Sequence, residues 1–501
     1  MSNDQVSPEV PTAPLPSDDR PIVFRGGTVV TVDAGHRVLA DTDVLVIGQN
    51  IAAIGTDLAV PDGTFEIDAH GGIVMPGMID THRHMWQTAM RGYGADWTLT
   101  QYFVWYYLEH GKSFRPEDIH AGNRLSALDA IDAGVTTTVD WSHGLRTLEH
   151  AEAALDALSS SAGRYVLAYG DIFAGPWEWT ADPDIRRFIT EHNTGSEKLK
   201  LQLAFDVTGD PAFPERAAFE AARELGVPVT THAGVWGATN DDGIRLMHEN
   251  GFMNPETVYV HAATLSDDSY QRIAATGGSV SLSTESELSC GQGYPPSWIL
   301  RQHGIPVSLS VDTSVWFSSD LFSAMRSTLG ADRGWMHTKA HEVGDTVTHS
   351  HLRAEHVVEW ATRGGAASLG MDFVGSLEPG KRADIVLIKN DASPSMFPIL
   401  NPSGHIALQA GRGDVHTVMV DGVIAKYDGR LLGDTIDSVR RDVEATVDYL
   451  QSELGDPVWG QGMNPDAPEA KMLDNPYTYT DYKDGSTHVA AADDRQPAAT
   501  S

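Results

Sequence analysis

Residues 74–92 read VMPGMIDTHRHMWQTAMRG. An apolar run ends in His82-Arg83-His84, the pattern of a buried strand that terminates in polar residues. Side chains alternate between faces along a strand, so His82 and His84 point one way and Arg83 the other. Two convergent imidazoles begin a metal site without completing one. Their meaning depends on what the rest of the chain brings to the same place.

Downstream, helical stretches alternate with short apolar runs across residues 75–377. RPEDIHAGNRLSALDAIDAG (115–134) precedes TTTVD (136–140), HAEAALDALSSSAG (150–163) precedes RYVLAYG (164–170), and AAFEAARELG (217–226) precedes VPVTTHAG (227–234). TVYVHA (257–262), GSVSLS (278–283) and PVSLSVD (306–312) continue the series. This spacing predicts parallel β/α units, about eight of which close into a (β/α)8 TIM barrel of the α/β class. Three of the later runs end as the first one does, in His232, His261 and Asp312. Parallel barrels carry their chemistry at the C-terminal ends of strands. Buried together, these groups would form a costly polar cluster unless something binds them, so a divalent metal is expected. Trp141 and His143 end a further strand, where His143 is expected to support the cluster from behind. Asp80 is expected to orient the first-strand backbone or a histidine.

Working outward, residues 21–74 alternate in short strands bounded by Gly or Asp, and residues 378–434 resume that pattern. Asp421-Gly422 marks a hairpin turn. The two pieces are expected to build one composite β-sandwich domain. Residues 1–20 are Pro-, Ser- and Asp-rich and are expected to be loose. Within 435–501, Ile436, Val439, Val443, Leu450 and Leu454 recur at helical spacing. The aromatic, Pro-rich arm at 455–482 is expected to lie on the barrel or on a neighbouring subunit, which favours a homo-oligomer.

Charge and composition exclude other classes. The chain holds 69 Asp and Glu against 35 Lys and Arg, a formal net charge of −34. Such an excess repels phosphate backbones, so neither nucleic acid nor an anionic membrane is an expected partner. A single cysteine, Cys290, rules out an internal disulfide and a Cys-based zinc motif. With no signal-like N-terminus and no apolar stretch of about 20 residues, a cytoplasmic location is expected.

These motifs together resemble the amidohydrolase superfamily, in its branch of cytosine deaminase-like, triazine hydrolase-like and S-adenosylhomocysteine deaminase-like enzymes. PGMIDTHRH is similar to the family's first-strand His-x-His, and THAG, YVHA and SLSVD to its fifth-, sixth- and eighth-strand signatures. LEPGKRADIVLI (377–388) is similar to its return into the β domain. The resemblance implies that His82, His84, His232 and Asp312 bind one divalent ion, zinc first, with iron, manganese or cobalt as alternatives. It implies that Asp312 moves the proton of an attacking water and that His261 orients that water or the substrate oxygen. It implies a hydrolase of a non-peptide C–N bond in a small heteroaromatic or aryl-substituted substrate.

One position departs from the pattern. The branch places a Glu three residues after the fifth-strand His, and here that residue is Val235. Valine moves no proton. Either Glu285 or Glu287 in STESELSC (283–290) substitutes, or the substrate needs no ring protonation, as with an amide, urea or carbamate. A non-catalytic scaffold is the third reading. Trp86, Gln87 and Trp316 are the candidate substrate contacts, aromatic walls and one amide suited to a flat ring.

Overall fold

A computed structural model describes residues 20–174, 177–235, 241–433 and 436–467. The expected loose N-terminus, the tail from residue 468 and Trp236 lie outside the described residues. Two sheets organise the chain. The mixed sheet takes five strands from the first segment, β1 Ile22–Val30, β2 Val38–Ile47, β3 Asn50–Gly55, β4 Phe65–Asp68 and β5 Ile73–Pro76. Barrel strands follow: β6 Met78–Arg83, β7 Val135–Ser142, β8 Arg164–Tyr169, β9 Leu199–Ala204, β10 Val229–Ala233, β11 Val258–His261, β12 Ser279–Leu282 and β13 Val307–Leu309. The chain then returns to the mixed sheet through β14 Ile385–Ile388, β15 Val415–Val420, β16 Val423–Tyr427 and β17 Arg430–Leu431.

The barrel strands lie in chain order, every neighbouring pair parallel. Closure occurs at the site itself: Asp312 N donates to His82 O at 3.1 Å, and His84 N donates to Asp312 O at 2.7 Å. The last strand is therefore joined to the first by the residues that the sequence marks as chemical.

The chain's two distant β segments meet where β14 runs antiparallel to β5, Ile385 opposite Pro76 and Ile388 opposite Ile73. The sheet passes directly into the barrel at Gly77, where a Cβ would lie 2.1 Å from Thr136 Oγ1, so only glycine fits that crossing. Asp421 and Gly422 adopt φ of 55° and 80°, as the tight hairpin between β15 and β16 requires.

The helix Ile436–Leu454 forms as its periodicity predicts and buries Val439 and Leu450. It lies on the helix Pro116–Asp132, tied by Thr446 Oγ1 donating to Asp118 at 2.8 Å and by the Arg124–Asp442 pair. The arm then reaches the first barrel loop. Tyr93 donates to Trp459 O at 2.6 Å, and Trp97 Nε1 to Gly462 O at 3.0 Å.

Candidate metal centre

Strand ends place the polar residues, and burial sets their charge. His82 and His84 leave the end of β6, His232 and His261 sit on β10 and β11, and Asp312 follows β13. His82 Nε2 and His84 Nε2 lie 3.3 and 3.4 Å from Asp312 Oδ1. The donor atoms of His82, His84 and His232 lie within 4.8 Å of one another, as do those of His82, His261 and Asp312. Ring centroids of His82 are 4.7, 5.1 and 5.5 Å from those of His84, His232 and His261.

Outer partners fix which nitrogen faces the centre. His84 Nδ1 donates to Trp141 O at 3.0 Å, His232 Nδ1 lies 2.6 Å from Asp206 Oδ1, and His261 Nδ1 lies 3.3 Å from Glu287 Oε1. Each leaves an Nε2 lone pair for the interior. His261 Nε2 has no hydrogen-bond partner, although it is fully buried. Asp80 Oδ1 accepts from the backbone N–H of His82 and Val311, pinning both strands beneath the cluster.

Burial pushes His82 well below the usual imidazole range and His84 down to about 4, so both are neutral near pH 7. Burial works to raise Asp312, but the His82 hydrogen bond and the surrounding histidines hold its carboxyl well below the ordinary range. The lone pair of His84 Nε2 thus faces a carboxylate oxygen at 3.4 Å. That contact is repulsive unless a cation stands between them. In a tetrahedral site with bonds of about 2.05 Å, ligand atoms sit about 3.3 Å apart, which matches the His82 and His84 separations from Asp312. The donor set therefore fits a divalent ion.

Backbone strain marks the same place. His261 and Asp312 hold φ of 69° and 64°, a region that non-glycine residues enter at a cost of about 1–3 kcal/mol each. Asp312 is aimed further by a relay in which Trp316 Nε1 donates to Ser286 Oγ at 2.7 Å and Ser286 donates to Asp312 Oδ2.

A small cavity opens above the cluster, lined by His84, Leu99, Tyr102, Tyr107, His232, Val235, Gln292, Asp312 and Trp316. Its volume of about 20 Å³ holds roughly one water, so a ring-sized molecule enters only as these walls part. A larger cavity of about 620 Å³, between the helices Pro116–Asp132 and Ile436–Leu454, shares no residue with the cluster.

The expected substrate contacts divide. Trp316 lines the cavity. Gln87 lies beside it, spending its amide on Tyr102 OH at 2.7 Å and Thr313 Oγ1 at 2.9 Å. Trp86 is fully buried against Tyr106 and Phe114. Neither Glu285 nor Glu287 lines the cavity. Glu287 sits behind His261 and also accepts from Ser283 N at 2.8 Å, while Glu285 contacts Ser318 and Ser327. His143 stands 4.3 Å from the His84 ring, with Trp86 Nε1 and Tyr102 OH each 3.5 Å from its nitrogens. Sequence reasoning passed over Asp206, Ser286, Tyr102, Tyr107 and Gln292. Only Asp206 carried a readable signal, since it closes the apolar run LQLAFD just as Asp312 closes its own.

The amidohydrolase family model matches residues 73–425. The chain belongs to the amidohydrolase family. This amidohydrolase is similar to 5′-deoxyadenosine deaminase of Methanosarcina mazei, 26% identical over 82% of this chain and 94% of that one. It is 29% identical to 5-methylthioadenosine/S-adenosylhomocysteine deaminase of Desulfitobacterium hafniense, over 80% of this chain and 90% of the relative. Among solved structures it shares its fold with the triazine hydrolase of Arthrobacter aurescens, with a TM-score of 0.74 and 21% identity over 85% and 99% of the two chains. A zinc-bound adenosine deaminase from Xanthomonas campestris gives 0.73 at 20% identity over 86% and 98%. The amidohydrolase described here is a metal-dependent hydrolase of carbon–nitrogen bonds other than peptide bonds. No described helix is long and apolar enough to cross a membrane.

Proposed function

We propose that this amidohydrolase is a deaminase-type enzyme that replaces an amino group on a small, flat nitrogen heterocycle by oxygen from water. In this reading His82, His84, His232 and Asp312 hold one divalent ion, zinc first. The observation that carries it is the set of imidazole nitrogens and one carboxylate, converging at the barrel mouth with ligand-like spacing. The deaminase relatives favour this chemistry over amide or urea hydrolysis.

Such an ion, when bound, acidifies water and polarises the bond under attack. The chain's own groups do the rest. His261 accepts a hydrogen bond from the attacking water at Nε2, because Glu287 holds its other nitrogen. Asp312 takes the water proton at Oδ2, the oxygen that faces away from His82 and His84. The C–O bond forms, the ring C=N electrons pass to nitrogen, and Asp312 returns its proton to the amine as the C–N bond breaks and the ring C=N bond re-forms. Ammonia leaves, and the remaining hydroxyl proton passes through solvent from oxygen to the ring nitrogen, so that the ring keeps a carbonyl. Aromatic walls at Tyr102, Tyr107 and Trp316 exclude water around the ring.

The same proposal takes residues 21–74 with 378–434 as one β domain and 75–377 as the barrel, in a cytoplasmic homo-oligomer. Light scattering on purified protein tests the oligomer. The chemistry is tested by zinc-reconstituted protein given 5′-deoxyadenosine, aminopyrimidines and aminotriazines, with aryl ureas and anilides as the contrast. Ammonia release from the first set supports the reading. Amine release from the second set alone would sink it.

A further inference from the structure

The cavity has few groups left with which to recognise a substrate. His84, His232 and Asp312 belong to the metal cluster. Tyr102 OH already accepts from Gln87, and Trp316 Nε1 is committed to Ser286. Tyr107, its ring stacked on Phe103 at 4.2 Å, offers a single hydroxyl. Val235 stands apolar where the related branch carries its acid. Gln292 remains, in the loop that follows the helix Thr284–Cys290 at the barrel mouth. This residue is 4% exposed, and its Oε1 is buried without a hydrogen-bond partner among the described residues.

A buried amide oxygen without a partner destabilises the folded protein, because the group has given up its hydrogen bonds to water. The fold gains nothing from it, since no described residue uses it. A carboxamide presents a donor and an acceptor side by side in one plane. Its complement is an N–H next to an unprotonated nitrogen, the edge that Gln reads on adenine. A heterocycle with an amino group beside a ring nitrogen has that edge.

We propose that Gln292 is the substrate-reading residue of this site, accepting from the exocyclic amine and donating to the adjacent ring nitrogen of an uncharged, flat aminoheterocycle. The inference rests on the deaminase reading and deepens it. It gives the ring nitrogen a neutral hydrogen-bond donor in the cavity where Val235 supplies no acid. A permanently charged ring is disfavoured, because among the described residues the one carboxylate lining the cavity is Asp312 and that group is already engaged.

The test measures binding and folding separately. For zinc-reconstituted wild type, Gln292→Leu and Gln292→Glu, initial rates give the KM or the inhibition constant of 5′-deoxyadenosine and melamine, both bearing the edge, and the inhibition constant of toluene, which lacks both the amine and the ring nitrogen. Gln292→Leu should weaken the two edge-bearing probes about ten-fold or more and leave toluene unchanged. Gln292→Glu, which keeps the acceptor and loses the donor, should fall between. Because the leucine variant also removes an unpaired buried polar group, its unfolding temperature should equal or exceed that of wild type. A structural role would lower that temperature and weaken all three probes together, and this result would overturn the proposal. So would unchanged affinities, with the deaminase reading left standing if ammonia is still released. If wild type binds neither edge-bearing probe, the role of Gln292 falls. The ammonia and amine panel then shows whether the deaminase reading falls with it.

Discussion

At the centre of the barrel mouth, His84, His232 and His261 are each aimed by what holds the far nitrogen. Asp206 is the clearest case, 2.6 Å from His232 Nδ1 and itself buried. Replacing it by Asn removes the carboxylate that fixes the ring and raises its basicity. Asp206→Asn should therefore weaken zinc binding about 10- to 100-fold, read by competition with a chromogenic chelator, while unfolding remains cooperative. The ligand-type residues themselves were legible in the sequence, because each closes an apolar run. Their supporting partners were less so: Glu287 was a candidate proton shuttle by proximity in the chain, yet it sits behind His261. A residue's distance along a loop does not say which side of a ring it reaches.

Among the elements, the contact that fixes the barrel against the mixed sheet is ionic. Arg164 begins β8, fully buried, and its guanidinium meets Asp384 at 3.0 and 3.2 Å and Asp421 at 3.3 Å. Asp384 also accepts from Asp421 N and so anchors the β15–β16 hairpin. Removing the cation takes the charge partner from buried Asp384 and leaves Asp421 only its longer pairs with Lys198 and Arg382, at 3.8 and 3.7 Å. Arg164→Met should cost about 3–5 kcal/mol in urea unfolding, with metal affinity preserved in the folded fraction, because the site lies at the opposite ends of the strands. Strand identities and the hairpin were readable from alternation and from Asp421-Gly422. The β5–β14 pairing spans some 300 residues of chain, and local pattern carries no record of such partners.

For the whole molecule, metal and pH should act on stability in ways that can be measured. Chelation of the bound ion removes a ligand that binds only the folded state, so the unfolding temperature should fall by about 2–4 °C and recover with zinc. A His82→Ala, His84→Ala variant should show no such response to chelator. Glu285 provides the pH effect. Burial, with the nearby Asp320 charge, raises its carboxyl from 4.5 to about 7. Between these values the folded chain keeps a proton that the unfolded chain has lost, so stability declines as pH rises through that window. Glu285→Gln cannot ionise. It should be more stable than wild type at pH 8 by on the order of 1–2 kcal/mol, and equal to it near pH 4.5, by differential scanning calorimetry.

The chain's own order of residues was enough for the class of fold, the strand ends and the five polar side chains that cluster there, since periodicity and burial are local properties that survive in one dimension. Tertiary structure alone decided three other things. It closed the barrel through Asp312 and His82 and put carboxylates behind two of the histidines. It also set Gln292 in the cavity wall with its Oε1 unpartnered among the described residues. Those depend on distances between residues tens to hundreds of positions apart, and only packing sets such distances.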